Sequence, residues 1–175
     1  SMEDGAKLAG KNLWYQIYGS RERSFQLDLV KRAIDLGLTT IAVTCDVPVS
    51  SNRERNRRNG FVRLLKMTLP TILEAMLHPA WVINYYRTGG LPMLGNWQRY
   101  AAANSTPDQV ADLFAKQTAD PSQTWRDLEA IRNAWPGKLL VKGVMHPEDA
   151  RIAIGMGVDW LLVSWANAVP DAPTP

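Results

Sequence analysis

Residues 40–60 read TIAVTCDVPVSSNRERNRRNG, and how this stretch is read decides the fold. It opens on a short β-branched apolar run, Ile41, Ala42 and Val43, which ends on Thr44 and Asp46. A strand that is apolar on both faces fits a parallel sheet covered by helices. Folds of that kind build their ligand chemistry at the carboxyl ends of the strands. Arginines follow at once: Arg53, Arg55, Arg57 and Arg58. From Arg53 to Lys66 there are six positive side chains against Glu54 alone, a local balance of 6 − 1 = +5. Such a patch suits an anion: a carboxylate or phosphate ligand, an acidic lipid surface, or nucleic acid. Thr44, Asp46 and the nearest arginines are therefore candidate site residues. The plain alternative is a strand end followed by a solvated run of charge.

Upstream, Leu13–Tyr18 (LWYQIY) reads as another strand, with Gln16 and Tyr18 two apart and so on one face. Between the two strands, Phe25, Leu29, Ala33 and Leu36 recur at helical spacing before Gly37. Strand, helix and strand over about thirty residues make a βαβ unit with a parallel pair. Ser1 with Asp4 three residues on reads as a helix cap, and a chain opening directly on a cap points to a natural protein that starts earlier.

Downstream, Phe61–Gln123 breaks the rhythm. Its apolar run is punctuated by Pro70 and Pro79, and Lys66, Glu74, His78 and Arg87 exclude a membrane span. Two readings stay open: a lid packed on the main fold, or an amphipathic segment lying on a bilayer with aromatics at the interface. Asn104–Gln123 reads as a helix plus a connector. From Thr124 the rhythm returns. Trp125, Leu128, Ile131 and Trp135 share a helix face, Leu139–Lys142 is a strand, Pro147 opens a helix, and Trp160–Ser164 is a fourth strand. All four strands end on polar residues: Gln16 and Tyr18, Thr44 and Asp46, Lys142, and Ser164. That repeated ending is the signature of an α/β (β/α)8 barrel rim, here in about four βα units with a long insert after the second strand. The expected divisions are 1–60 and 124–164 for the barrel units, 61–123 for the insert, and 165–175 for an irregular tail.

The chain has 175 residues, 46% hydrophobic and 21% charged, with a net charge of +3, which is ordinary for a globular domain. Its single cysteine, Cys45, fits a reducing, cytoplasmic setting, with placement on the inner face of the cell membrane if the insert lies on lipid. No nucleic-acid module is recognisable, so nucleic acid is not an expected partner. No metal is expected either.

At this point the chain resembles a family. LWYQIY, AVTCDVPVSSNRERNRRNGF, LLVKGVMHPEDA and GVDWLLVS are similar, in order and spacing, to the FMN-dependent 2-hydroxy-acid dehydrogenases and oxidases. HPAWVINYYRTGGLPMLGN and QTWRDLEAIRNAWPGKLLVKG look most like the membrane-associated lactate and mandelate dehydrogenase branch. The resemblance implies an FMN cofactor and oxidation of a small (S)-2-hydroxy acid to the 2-oxo acid. It implies that Gln16 and Thr44 bond the polar edge of the flavin ring and that Lys142 lies near flavin N1, where its charge stabilises the reduced ring. Arg53 would be one of two arginines gripping the substrate carboxylate. Tyr18 would hydrogen-bond substrate, and Asp46 would orient the catalytic histidine.

Beyond Ser164 the pattern departs. The family continues into a segment bearing its catalytic histidine and second arginine, whereas this chain reads WANAVPDAPTP. His78 and His146 do not stand at the matching position. The expectation is thus the middle half of a barrel, with open sheet edges that leave it marginal alone or paired as a homo-oligomer. The alternative function is a non-catalytic fragment or a membrane-surface binding module.

Overall fold

The structure, a computed structural model, describes residues 1–47, 58, 68–90, 92–118 and 121–163. Arg53 and Ser164 lie outside them, as do Arg55, Arg57 and residues 165–175. The chain divides into two compact units, one of Ser1–Ser51 with Phe114–Pro175 and one of Asn52–Leu113.

The first unit opens with α1 (Met2–Ala9), which starts on a reciprocal capping box between Ser1 and Asp4, with Glu3 and Asp4 in its first turn. Strand β1 (Trp14–Tyr18), helix α2 (Arg23–Asp35) and strand β2 (Thr40–Thr44) follow as the expected βαβ unit. After the second unit, the chain returns through α6 (Trp125–Ala134), β3 (Lys138–Lys142), α7 (Pro147–Gly155) and β4 (Trp160–Leu162). Helix α6 carries a Thr124–Asp127 capping box, and Pro147 stands in the first turn of α7.

The four strands are parallel in the order β1-β2-β3-β4. Strands β2 and β3 are neighbours although the whole insert separates them in sequence. Side chains alternate between the faces. Ile17, Ile41, Val43, Leu139 and Val141 point to one face and are buried there with Leu29, Val30, Leu128 and Ile131 of the helices. Trp14, Gln16, Tyr18, Thr40, Ala42, Thr44, Leu140, Lys142, Trp160 and Leu162 share the other face. On it, Trp14 of β1 stacks on Trp160 of β4 with ring centroids 5.6 Å apart and planes 12° from parallel. In a flat sheet those outer strands would stand about 14 Å apart, three strand spacings. The sheet therefore curls with this face concave and its helices outside, the curvature of a (β/α) barrel wall.

The helix faces differ from expectation in one respect. The buried residues of α2 are Gln26, Leu29, Val30, Arg32 and Ala33, while Phe25 and Leu36 are only half-buried. The stripe is turned toward Gln26 because that side chain has a partner inside: its Nε2 donates to the Tyr18 carbonyl over 3.1 Å. Tertiary bonding has recruited a polar residue into the core.

The second unit contains α3 (Leu69–Leu77), α4 (Pro79–Arg87) and the start of α5 (Pro107–Thr118), whose last turns belong to the first unit. Pro70 and Pro79 stand in the first turns of α3 and α4, so both prolines read as interruptions are helix starts. Trp97 and Val110 are buried, but α4 has no buried residue. Leu69, Leu73, Met76, Leu77, Trp81, Ile83 and Tyr86 are all at least half exposed. No helix among the described residues is long and apolar enough to cross a membrane.

Candidate functional site

The carboxyl ends of β1, β2 and β3 collect polar residues. Tyr18, Thr44 and Lys142 are register partners across β1, β2 and β3, so they form one row on the concave face. Gln16 stands two residues before Tyr18 on the same face. Its Nε2 donates to Thr44 Oγ1 across 2.6 Å, tying the first two strands together. That bond leaves the Gln16 carbonyl oxygen as an acceptor and the Thr44 hydroxyl proton as a donor.

Asp46 joins the row from beyond β2. The Cys45 amide donates to the Lys142 carbonyl over 2.9 Å, which carries the ladder past the end of β2 and turns Asp46 over the end of β3. There, Lys142 Nζ meets Asp46 Oδ2 at 2.9 Å, with the Asp46 side chain 5% exposed. The close approach requires a glycine. Gly143 has φ of +95°, and a Cβ built there would lie 2.4 Å from Asp46 Cβ. Cys45 is exposed by surface area, yet desolvation around its thiol and the adjacent Asp46 charge raise it to about 11. It is a neutral thiol at physiological pH.

Tyr18 is held from two sides. Its ring meets Phe114 of α5 edge-on, with centroids 6.3 Å apart and planes at 89°. Its carbonyl accepts the Gln26 bond.

Five of the six expected site residues, Gln16, Tyr18, Thr44, Asp46 and Lys142, thus gather at one end of the sheet. The sixth, Arg53, lies outside the described residues. His146 is exposed and caps α7, its Nδ1 accepting from the Glu148 amide over 3.2 Å. His78 sits at the α3–α4 junction in the second unit. Among the described residues there is no cluster able to hold a metal ion.

Sequence reasoning assigned Lys142 and Asp46 separate tasks and missed that they bond each other. It also missed Phe114, Gln26 and Gly143. The glycine after the strand-ending lysine was the available signal for a tight turn; Phe114, in a polar segment, gave none.

The opposite end of the sheet has a shallow cleft beside Arg132, Lys138 and Asp159. Its charges are committed to structure. Arg132 donates to the Trp135, Gly137 and Gly157 carbonyls, and Asp159 accepts from Lys138 at 2.7 Å and from the Leu139 amide at 2.9 Å. Those donors hold the Asp159 carboxyl below the usual range.

The strand-end donor set fits a flavin ring edge. An amide carbonyl can accept from the imide N–H, while a hydroxyl and an ammonium can donate to the flanking carbonyl oxygen and to N1.

The chain is 34% identical over 169 residues to L-lactate dehydrogenase of Pseudomonas syringae pv. syringae (strain B728a), an alignment covering 94% of this chain and 43% of that one. It is 35% identical over 170 residues to L-lactate dehydrogenase of Pseudomonas aeruginosa (strain PAO1), covering 93% and 42%. Among solved structures, the monotopic membrane protein (S)-mandelate dehydrogenase superposes with a TM-score of 0.85 at 34% identity, covering 95% of this chain and 43% of that one. Mandelate oxidase with (S)-4-hydroxymandelic acid superposes with a TM-score of 0.65 at 31% identity, covering 95% and 40%. The chain therefore spans less than half the length of the relatives it matches. The family described as FMN-dependent dehydrogenase matches residues 1–167, and the chain belongs to it.

Proposed function

We propose that this chain supplies the flavin-ring edge and part of the substrate site of an FMN-dependent oxidation of a small (S)-2-hydroxy acid, of lactate or mandelate type, to the 2-oxo acid. The observation that carries the reading is the Tyr18–Thr44–Lys142 row with Gln16 bonded to Thr44. Bound FMN would supply the two-electron acceptor that no side chain can provide. The chain's own residues bind and orient. Gln16 and Thr44, fixed to each other, present an acceptor and a donor to the ring edge. Lys142 brings a positive charge to that edge, held in place by Asp46 and so preorganised. Tyr18 places a phenol where a substrate hydroxyl or carboxylate can bond it, and Arg53 is the cation for the carboxylate. Asp46, at the same end of the sheet, is the carboxylate that would orient a base. Removing the hydroxyl proton needs such a base, and the residues after Ser164 do not match the family segment that carries the histidine.

Purified protein loaded with FMN tests both halves. Yellow protein bleached anaerobically by L-lactate or (S)-mandelate is the expected result for the complete reaction. Yellow protein that neither acid bleaches means binding without turnover, the non-catalytic alternative. Colourless protein that never retains FMN refutes both.

The second unit favours an additional peripheral contact with a membrane surface. Leu73, Met76, Leu77, Trp81 and Tyr86 give α3 and α4 exposed apolar and aromatic groups, and the sequence between them and β2 is strongly basic.

A further inference from the structure

The end of α5 makes a set of bonds to the β1 rim that nothing in the proposed chemistry uses. Phe114 meets the Tyr18 ring edge-on. One turn later, the Gln117 side-chain oxygen accepts from Ser20 Oγ at 3.2 Å and from the Glu22 amide at 2.9 Å. The Gln117 backbone carbonyl accepts from the Arg21 amide at 3.1 Å. A backbone amide can only donate, so the Glu22 bond fixes which end of the Gln117 amide faces the loop. Ser20 is buried, 1% exposed. On the other side, buried Gln26 holds the Tyr18 carbonyl. The loop after Tyr18 is thus gripped at three consecutive residues by one helical turn, and the tyrosine ring is set by an aromatic edge from that same turn.

We infer that Phe114 and Gln117 are positioning residues for Tyr18: Phe114 fixes the direction of the phenol and Gln117 fixes the backbone that carries it. The inference rests on the proposed role of Tyr18 at the substrate. A phenol must sit within a few tenths of an ångström of its bonding position to discriminate ligands, and a strand-terminal ring without a packed neighbour has two free torsions. The edge contact removes that freedom, and it favours the offset and T-shaped geometries that aromatic pairs adopt.

The test uses FMN-loaded protein titrated with benzoylformate, followed by the perturbation of the flavin spectrum, with the FMN dissociation constant measured separately. Phe114→Ala and Gln117→Leu are expected to weaken benzoylformate about tenfold while leaving FMN affinity unchanged. Phe114→Tyr, which keeps the ring, and Gln117→Glu, which keeps the acceptor oxygen, are expected to restore most of the binding. Tyr18→Phe combined with Phe114→Ala is expected to be no worse than Tyr18→Phe alone, because both act through one hydroxyl. Fully additive losses, or FMN affinity falling in parallel with ligand affinity, would overturn the inference while leaving the flavin assignment standing. Tyr18→Phe without effect on benzoylformate would overturn it from the other side, and failure of the unaltered protein to hold FMN would remove the reading beneath it.

Discussion

A lysine ammonium 2.9 Å from a carboxylate that is 5% exposed makes each group depend on the other. Removing one leaves the other with a desolvated charge, which costs about 3 kcal/mol when the survivor is buried. Lys142→Met is therefore expected to lower the urea midpoint sharply, and Asp46→Asn/Lys142→Met to recover most of the loss; a double variant as unstable as the single would contradict the pairing. Gly143 answers to the same geometry. Gly143→Ala meets both a left-handed backbone and a 2.4 Å approach to Asp46, and is expected to cost about 2 kcal/mol, read as a fall in melting temperature. At this scale the sequence was legible where chemistry follows strand period. Gln16, Tyr18, Thr44 and Lys142 could be placed because strand ends and two-residue spacing put them on one rim. The Lys142–Asp46 bond was not, since its partners stand 96 residues apart and meet only because β2 and β3 become neighbours across the insert.

At the scale of elements, α1 is fastened to α2 by Glu3, whose Oε1 lies 2.6 Å from Arg32 Nη2. The Arg32 hydrogen bond holds the Glu3 carboxyl down at about 2, against the ordinary 4.5. A carboxyl lowered on folding adds stability that is complete above its unfolded value and fades as pH falls from about 4.5 toward about 2. Glu3 is more than a third exposed, so solvent screening limits the pair to about 1 kcal/mol or less. Glu3→Gln should thus narrow the stability difference from the parent as pH drops from 6 to about 2.5, measured by chemical denaturation. A constant difference across that range would rule the pair out. Element starts were legible from capping residues, as at Ser1 and Thr124, because caps are local. On α2, Leu29 and Ala33 face inward as their spacing indicates, while Gln26 rather than Phe25 is buried, for a bond to β1 that no local pattern records.

At the scale of the whole molecule, parallel strands, curvature and strand-end polarity all agree with a barrel wall, and the repeated polar strand endings made that readable from sequence. The second unit was less readable. Its apolar side chains fit a packed lid and a lipid contact equally well, and a vesicle measurement separates the two. Vesicles containing anionic lipid are expected to shift tryptophan emission to the blue through Trp81, and Leu73→Glu/Leu77→Glu to abolish the shift. Equal binding by parent and variant would show that these helices do not meet lipid.

The central claim, that the strand-end row is a flavin-ring site, is tested most directly by titrating the protein with FMN and following flavin fluorescence, beside Gln16→Ala, which removes the amide from the ring edge without disturbing a buried charge. Saturable quenching by the parent, with affinity weakened about tenfold in Gln16→Ala, is the predicted result. Absence of quenching in the parent, or equal affinity in the two proteins, would contradict the account.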